Sequence, residues 1–365
     1  MTLRQRIETV FQGHLPDAMV WYGDLGYWHA AHTQIGDLPE RWRGVPGRSQ
    51  MHRDLGVGEY VPGCCAFTLE EGPDVQRRET REGDVRRMEW ITPLGTLTER
   101  WQYSAPSFSW GHREFPVKTP ADLAVLRYIY RQRRYRPDPE RVAQLERDLP
   151  DQGLPVIATH ASPMADLYKA WVGVMQLSYL LMDAPAEIDA TLAVMAEAQA
   201  PLWQITAESP CRTIMLCENF TAEGMGGLFD RFFRDFLQEK IAVFHQHGQK
   251  VMCHIDGTLR GLAEKLPQVG VDCLDAVTPK PVGDVALDEL RPLVGPDVLI
   301  LGGLPGAMFA PPFTARDMQT HVREILRLHK SSGKFMLGVA DQVPPNGDLD
   351  LVRLVTRMVE EEGRY

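Results

Sequence analysis

The amino-acid sequence predicts a (β/α)8 TIM barrel with an N-terminal extension that contains a β-hairpin. From about residue 154, short apolar runs alternate with segments of helical periodicity, which is typical of folds built on a parallel sheet. No Gly-x-Gly-x-x-Gly fingerprint follows any of these runs, and this disfavours a doubly wound dinucleotide-binding sheet. The length of 365 residues suits one barrel with an extension.

The apolar runs are predicted to be buried parallel strands, since they are short and are bounded by glycine, proline or polar residues. They are 154–159, 212–217, 250–253, 273–277, 298–301 and 335–340. The predicted helices are 229–244, 259–266, 287–293, 349–361 and a segment that begins after Thr314. Thr314 is predicted to cap its helix because Asp317 follows three residues later, and Gly248 predicts a helix end.

Residues 1–115 are less regular than the rest of the chain. Within them, 86–90 and 95–103 are predicted to form a β-hairpin, with residues 92–95 (TPLG) as its turn. We expect this region to decorate the mouth of the barrel rather than to fold separately. The predicted organisation is therefore a single domain that spans residues 1–365.

Composition and charge exclude several classes of protein. The net charge of -10 leaves no basic surplus to neutralise nucleic-acid phosphates. No apolar run approaches the roughly 18 residues of a membrane span, and Arg4, Arg6 and Glu8 interrupt the N-terminal segment where a signal peptide would be apolar. None of the six cysteines forms a Cys-x-x-Cys pair, and several lie in apolar runs. We therefore expect a reduced, soluble, cytoplasmic protein.

Arginines cluster at three places in the sequence. They are Arg77–Arg78, Arg86–Arg87 and the segment 131–136. Such clusters are most often solvated faces of helices or strands. In other proteins they bind an anionic substrate or a partner protein. The sequence leaves both interpretations open.

His254, Asp256 and Asp341 follow the ends of two predicted strands. The carboxyl ends of parallel strands are where ligands bind in such folds, and alternate residues of a strand point to the same side. One imidazole and two carboxylates suit Zn²⁺, Mn²⁺ or Fe²⁺. Glu218 and Asp275, near other strand ends, are candidate fourth ligands. The alternative is structural: a histidine bonded to backbone, and aspartates that cap turns or helices.

Further candidate residues lie at other strand ends. His160 and Glu218 are candidate proton donors or acceptors in catalysis, and Asn219 is a candidate donor to the substrate or to a ligand. The aromatic residues of the early chain, among them Trp21, Tyr22 and Trp28, are candidate walls of a substrate pocket. For all of these residues, plain packing at a strand end or in the core is the competing explanation.

Three motifs in the C-terminal two-thirds of the chain resemble the uroporphyrinogen decarboxylase superfamily, which includes corrinoid-linked methyltransferases. They are 254–257 (HIDG), 270–281 (GVDCLDAVTPKP) and 338–345 (GVADQVPP). The resemblance implies a (β/α)8 barrel. It also implies a metal, most often zinc, which the methyltransferase branch holds through His-x-Cys and a distant Cys. Asp256 stands here at the first cysteine position, and Asp341 at the second.

The chain also departs from the porphyrin decarboxylases of that superfamily. Their early strand carries an arginine-rich motif that binds porphyrin carboxylates, whereas the corresponding segment 19–27 (MVWYGDLGY) has no arginine. Because a substrate with many carboxylates needs several guanidinium groups, porphyrin decarboxylation is disfavoured.

The resemblance and the candidate site together imply a metal-dependent methyltransferase that demethylates a small O- or N-methylated molecule. A corrinoid would arrive on a separate protein, because the chain has no Asp-x-His-x-x-Gly stretch. Two alternatives remain: a decarboxylase or lyase of a non-porphyrin acid, and a non-catalytic barrel that binds a metabolite or a partner protein. A homodimer is compatible with the sequence, which does not define the oligomeric state.

Overall fold

The computed structural model describes residues 1–59, 64–149 and 151–365. The strands are β1 (Trp21–Tyr22), β2 (Phe67–Glu70), β3 (Gln76–Glu82), β4 (Val85–Thr92), β5 (Gly95–Ser104), β6 (Ser109–Glu114), β7 (Arg134–Pro137), β8 (Ile157–Ala158), β9 (Thr213–Phe220), β10 (Lys250–Ile255), β11 (Cys273–Val277), β12 (Leu299–Pro305) and β13 (Phe335–Ala340). The α-helices are α1 (Leu3–Phe11), α2 (Gly26–Ile35), α3 (Gly44–Leu55), α4 (Asp122–Gln132), α5 (Pro139–Asp148), α6 (Pro163–Asp166), α7 (Val174–Asp183), α8 (Pro185–Ala207), α9 (Ala222–Met225), α10 (Phe229–Phe232), α11 (Arg234–Gln246), α12 (Leu287–Val294), α13 (Ala315–His329) and α14 (Leu349–Glu362).

The chain divides into two compact units. The first comprises Met1–Cys64, Glu140–Ala158 and Pro210–Tyr365, and the second comprises Cys65–Pro139 and Thr159–Ser209. Residues 1–115 are therefore shared between the units, and β1 is part of the main sheet of the first. The single domain that the sequence predicts, with residues 1–115 at the barrel mouth, stays a prediction.

The first unit is built on a parallel sheet of seven strands in the order β1-β13-β12-β11-β10-β9-β8. Each strand pairs in parallel with its neighbours. Side chains from or next to all seven strands meet in one buried cluster, which Ile7 and Val10 of α1 complete. Because both edge strands contribute to this cluster, the sheet is curled around it. The cluster comprises Ile7, Val10, Val20, Tyr22, Leu154, Val156, Met215, Met252, Cys273, Leu299, Leu301 and Met336.

The gap between the two edge strands holds no regular strand among the described residues. Gly58 instead forms a single parallel bridge with Tyr22 of β1. On the other side, the backbone N–H of Glu59 donates to the carbonyl oxygen of Gln152 at 3.1 Å. The described part of the fold is thus a curled, seven-stranded parallel sheet, in place of the eight regular strands that the sequence analysis expects.

The second unit contains a four-stranded antiparallel sheet in the order β3-β4-β5-β6 and a two-stranded sheet of β2 and β7. The two segments that the sequence predicts to pair as a hairpin lie in β4 and β5, where Thr92 is opposite Gly95. On one face of the sheet, Trp90 packs against Trp171 with ring centroids 5.1 Å apart.

The strands and helices that the sequence predicts after residue 154 match the structure at most positions, with one clear error, and the helices α6, α7, α8 and α9 were not predicted. Cys273–Val277 and Phe335–Ala340 have the predicted bounds, and the hydroxyl of Thr314 accepts from the backbone N–H of Asp317 at the start of α13. The predicted helix 259–266 is wrong, because this segment forms turns. Gly261 within it has a φ of +88°, which interrupts a right-handed helix.

Among the described residues, no helix combines the length and the apolar character that a membrane crossing requires.

Gly302 is required by close packing between two strands. It lies opposite Val277 in the register of β11 and β12, its φ is +146°, and a Cβ atom there would lie 2.5 Å from the carbonyl oxygen of Val277. The glycine at position 302 thus has a structural role in the packing of β11 against β12.

We expect Gly302→Ala to lower the free energy of unfolding by about 2–4 kcal/mol, because the added methyl group meets backbone that cannot move aside. Gly295→Ala is the matched control, since Gly295 also has a positive φ of +86° but has open space around it. It should cost about 1–2 kcal/mol. Urea denaturation of both variants measures the difference, and equal losses would contradict the proposed clash.

Candidate metal centre

The structure brings three predicted ligands together at the carboxyl end of the sheet. His254 is near the end of β10, Asp256 follows that strand, and Asp341 follows β13. Nε2 of His254 lies 3.6 Å from Oδ1 of Asp256 and 3.6 Å from Oδ1 of Asp341. One ligand atom from each residue can be chosen so that all three lie within 4.8 Å of one another. The curl of the sheet thus brings Asp256 and Asp341 close together, although they are 85 positions apart in the sequence.

The spacing and the chemistry of these atoms fit a divalent ion. Bonds of about 2.0–2.2 Å to a tetrahedral ion place two ligand atoms about 3.3–3.6 Å apart. The two distances of 3.6 Å from Nε2 are at the upper end of that range. Imidazole with carboxylates is a donor set that zinc, manganese and iron accept.

Two irregularities in the sheet position the polar side chains at its carboxyl end. The pairing of β9 with β10 shifts between Cys253 and Ile255, and the pairing of β11 with β12 shifts between Leu274 and Val277. Such bulges bend a strand and turn its side chains to new directions, and they recur next to active sites. Each bulge contains a residue in the left-handed region, namely Asn219 with φ 53° and Ala276 with φ 62°.

The left-handed conformation costs alanine more energy than it costs asparagine. Asparagine adopts it readily because its short side chain bonds to nearby groups, whereas alanine lacks that compensation. Ala276 therefore carries strain on the order of 1 kcal/mol. Ala276 follows directly after Asp275, whose buried carboxylate contacts His254. The strain therefore lies in the backbone segment that positions this carboxylate.

Two hydrogen bonds from outside the cluster each orient one of the three candidate ligands. Oδ2 of Asp275 lies 2.7 Å from Nδ1 of His254, and the Asp275 side chain is only 2% exposed. A proton on Nδ1 donated to this carboxylate leaves Nε2 available for an ion. Nδ2 of Asn219 donates to Oδ2 of Asp256 at 3.0 Å, while Oδ1 of Asp256 faces His254.

The cluster contains more carboxylates than positively charged groups. Burial by itself lowers the pKa of His254, but hydrogen bonds with Asp256 and Asp275 outweigh it, so the pKa is raised well above 6.5. Burial raises the pKa of Asp341 to about 6, and His254 opposes that rise while the charges of Asp256 and Asp24 add to it. A divalent cation would relieve the repulsion between these carboxylates.

Two further residues at this end of the sheet, Asp24 and Gln342, were not predicted from the sequence. Nε2 of Gln342 donates to Oδ2 of Asp24 at 2.7 Å, and the backbone N–H of Gly26 donates to Oδ1 at 2.6 Å. Asp24 is buried and follows the short strand β1. The available signal was the same as for Asp341, an acidic residue directly after an apolar run.

The comparisons with known proteins agree with this architecture. The family model of uroporphyrinogen decarboxylase (URO-D) matches residues 112–362. The chain belongs to the uroporphyrinogen decarboxylase family. This confirms the resemblance that the sequence motifs indicate.

The chain is also similar to solved structures. A methyltransferase from Methanosarcina mazei aligns over 99% of both chains, with a TM-score of 0.61 and 11% sequence identity, and at that identity it shows a shared fold. A D-psicose 3-epimerase from Clostridium cellulolyticum H10 aligns over 61% of this chain and 82% of its own, with a TM-score of 0.35 and 9% identity. No curated protein matches the sequence significantly.

The remaining predicted residues of this family member are placed as follows. Asp275 lies against Nδ1 of His254 instead of beside the three clustered ligand atoms. Glu218 is fully buried in β9. His160 belongs to the second unit, where its Nδ1 lies 3.5 Å from Oδ2 of the buried Asp166. That carboxylate also accepts from Nε2 of Gln199 at 3.4 Å.

The three predicted aromatic residues make contacts that stabilise the fold. Nε1 of Trp21 donates to Oγ1 of Thr356 on α14 at 3.0 Å. Tyr22 belongs to the buried cluster inside the sheet. Nε1 of Trp28 donates to the carbonyl oxygen of Gly347 at 3.0 Å. These contacts favour core packing, and the role of these residues in substrate binding stays a prediction.

We expect His254→Ala to abolish stoichiometric binding of zinc or manganese, because it removes the nitrogen ligand of the cluster. His245→Ala is the matched control, since His245 also pairs with an aspartate, Asp272, at 2.8 Å but lies on α11. Elemental analysis of the purified proteins after metal loading and desalting measures the difference. Retention of one equivalent in the His254 variant would exclude this cluster as the metal site.

Asp275→Asn should weaken metal binding about 10–100-fold, because the variant loses the carboxylate that fixes the His254 tautomer. Asp272→Asn removes the corresponding acid from the His245 pair and should leave the affinity unchanged. Competition with a chromogenic chelator gives both affinities. Equal affinities in the two variants would mean that Asp275 does not orient the ligand.

Proposed function

We propose that the protein is a metal-dependent methyltransferase that removes a methyl group from a small O- or N-methylated molecule. A corrinoid carried by a separate protein would accept the group. The single observation that carries this proposal is the convergence of His254, Asp256 and Asp341 at the carboxyl end of the curled sheet. We infer that the sheet belongs to a (β/α)8 barrel whose eighth position is occupied by the segment around Gly58.

The roles of the chain's own residues follow from their contacts. His254, Asp256 and Asp341 would hold a divalent ion, with zinc as the leading candidate. Asp275 and Asn219 hold two of these ligands in place. The ion would act as a Lewis acid toward the heteroatom that loses the methyl group. The corrinoid would supply the nucleophile for the methyl carbon.

The ligand set favours an oxygen-bearing substrate. Two carboxylates and one imidazole make a harder centre than the cysteine-rich set of the methyltransferase branch. A hard centre polarises ether or alkoxide oxygen more strongly than thioether or thiol sulfur. This ligand set therefore supports a methoxylated compound ahead of a methylated thiol.

The departing heteroatom needs a proton, because the bond to the methyl carbon breaks with its electron pair on the heteroatom. His160 and Glu218 are the proposed donors. Oδ2 of Asp166 lies 3.5 Å from Nδ1 of His160 and holds the ring in position. The side chain of His160 is 31% exposed, which leaves it open to exchange with solvent.

A decarboxylase or lyase of a non-porphyrin acid is the second candidate, and family membership favours it. The acid at the end of β1 argues against a substrate with many carboxylates. Asp24 lies there, and its charge adds to that of Asp341 and Asp256. A polycarboxylate would meet repulsion at this position, so we expect no turnover of uroporphyrinogen.

The proposal is tested by incubating the metal-loaded protein with free cob(I)alamin and a panel of methoxylated aromatic compounds and methylated amines. Absorbance spectra report methyl transfer, and chromatography reports the demethylated product. We expect transfer from at least one methoxylated compound, and its loss in the His254→Ala variant. Uroporphyrinogen turnover with no methyl transfer would overturn both the methyltransferase proposal and the expectation that porphyrins are excluded.

Replacing both Asp256 and Asp341 by Cys should raise zinc affinity, because thiolates bind zinc more strongly than carboxylates. It should also reduce demethylation of an oxygen-bearing substrate by about tenfold or more, since the metal becomes a weaker Lewis acid. Zinc titration and the transfer assay measure the two effects. Higher affinity with unchanged activity would show that the hardness of the ligands does not determine the rate.

A further inference from the structure

One of the arginine clusters lines a cavity in the second unit. The cavity has a volume of about 370 Å³ and lies among the end of α4, the strand β7 and the helix α8. Arg131, Arg133 and Arg134 contribute to its wall, together with Tyr130 and Tyr135. Its apolar side is formed by Val194, Ala198 and Pro201 of α8. The cavity therefore combines positive charge with an apolar face.

The positive charge of this wall is only partly balanced. Arg131 and Arg134 form no salt bridge within the part of the chain that the structure describes. The guanidinium of Arg134 donates instead to the backbone carbonyl oxygens of Arg131 at 3.1 Å and of Arg133 at 2.7 Å. Glu197, which is exposed, is the acidic residue of the wall. Among the lining residues, the guanidinium groups of Arg131 and Arg134 thus stand beside the single carboxylate of Glu197, whereas Arg133 pairs with Glu71.

Arg133 adds a buried charge to the same wall. It is 8% exposed, its guanidinium lies 4.3 Å from the ring centroid of Tyr130, and one of its nitrogens pairs with Glu71 at 3.3 Å. Its Nε is buried without a hydrogen-bond partner among the described residues. The carboxylates of Glu71 and Asp166 already act on this buried guanidinium, so the positive charge open to a ligand comes from Arg131 and Arg134.

We propose that this cavity binds a small organic oxyanion, a carboxylate or a phosphate with an apolar body. The planar guanidinium groups of Arg131 and Arg134 would bind its oxygens, since the fork of an arginine matches two oxygens of either group. The apolar face of α8 would cover the body of the ligand. The site lies wholly within the second unit and does not depend on the proposed methyl transfer.

The neighbouring Arg136 supplies a matched control. It belongs to the same cluster in the sequence but does not line the cavity, and its guanidinium pairs with Glu70 at 2.7 Å. Arg131→Gln, Arg134→Gln and Arg136→Gln each remove one positive charge. A loss of binding that is confined to the first two variants therefore reports the site and not the overall charge of the protein.

Isothermal titration with benzoate and with phenyl phosphate tests the proposal, and benzyl alcohol serves as the neutral probe. We expect saturable binding of at least one anion to the full-length protein, weakened about tenfold in Arg131→Gln and in Arg134→Gln. Arg136→Gln should bind as the parent does. The stronger of the two anions identifies the ligand as a carboxylate or a phosphate.

Two outcomes would overturn the proposal: no saturable binding of either anion, or equal weakening in all three variants. Circular dichroism and melting temperatures establish that each variant is folded. Metal content is measured in the same samples. If the anion binds while no metal is retained, the oxyanion site stands and the proposed methyltransferase function fails. If metal is retained but neither anion binds, the oxyanion site fails and the methyltransferase proposal is unaffected.

Discussion

The hydrogen bond between His254 and Asp275 is the interaction on which the candidate centre depends. The two residues are direct partners in the parallel register of β10 and β11, so the contact of 2.7 Å follows from the pairing of the strands. A slip by one residue would turn the two side chains to opposite faces. Because Nδ1 is engaged here, Nε2 is left to face Asp256 and Asp341. The register of the sheet thus determines which nitrogen is available for a ligand.

The strand ends were predictable from sequence because burial on both faces leaves a continuous apolar run, and the first polar residue after it is easily recognised. This reasoning located His254, Asp256 and Asp341. It could not locate the bulges, since the left-handed conformation of Ala276 leaves no trace in its residue type. Asn219 was a candidate donor to the substrate or to a ligand, but the bulge that sets it beside Asp256 was not predicted. Asp275 was a candidate fourth ligand, and the register of β10 and β11 places it against Nδ1 of His254 instead.

The wrong helix prediction is explained by backbone geometry. The segment 259–266 has apolar residues at helical spacing, yet Gly257 and Gly261 adopt positive φ values and the chain turns. Here local backbone geometry prevails over periodicity. Trp21 and Tyr22 are adjacent on a strand and so point to opposite faces. One contacts α14 and the other the interior, so the two rings lie on different faces of the strand.

The candidate centre has more carboxylates than the positive charge of the chain balances there. The charges of Asp24, Asp256 and Asp275 all raise the pKa of Asp341, against one opposing imidazole. Ala276 adds strain at the bulge that places Asp275. These costs reduce the stability of the folded chain, and a cation bound to the carboxylates would offset them through mass action. Repulsion between carboxylates and backbone strain thus occur together at the candidate centre. Ligand binding explains this combination better than packing does.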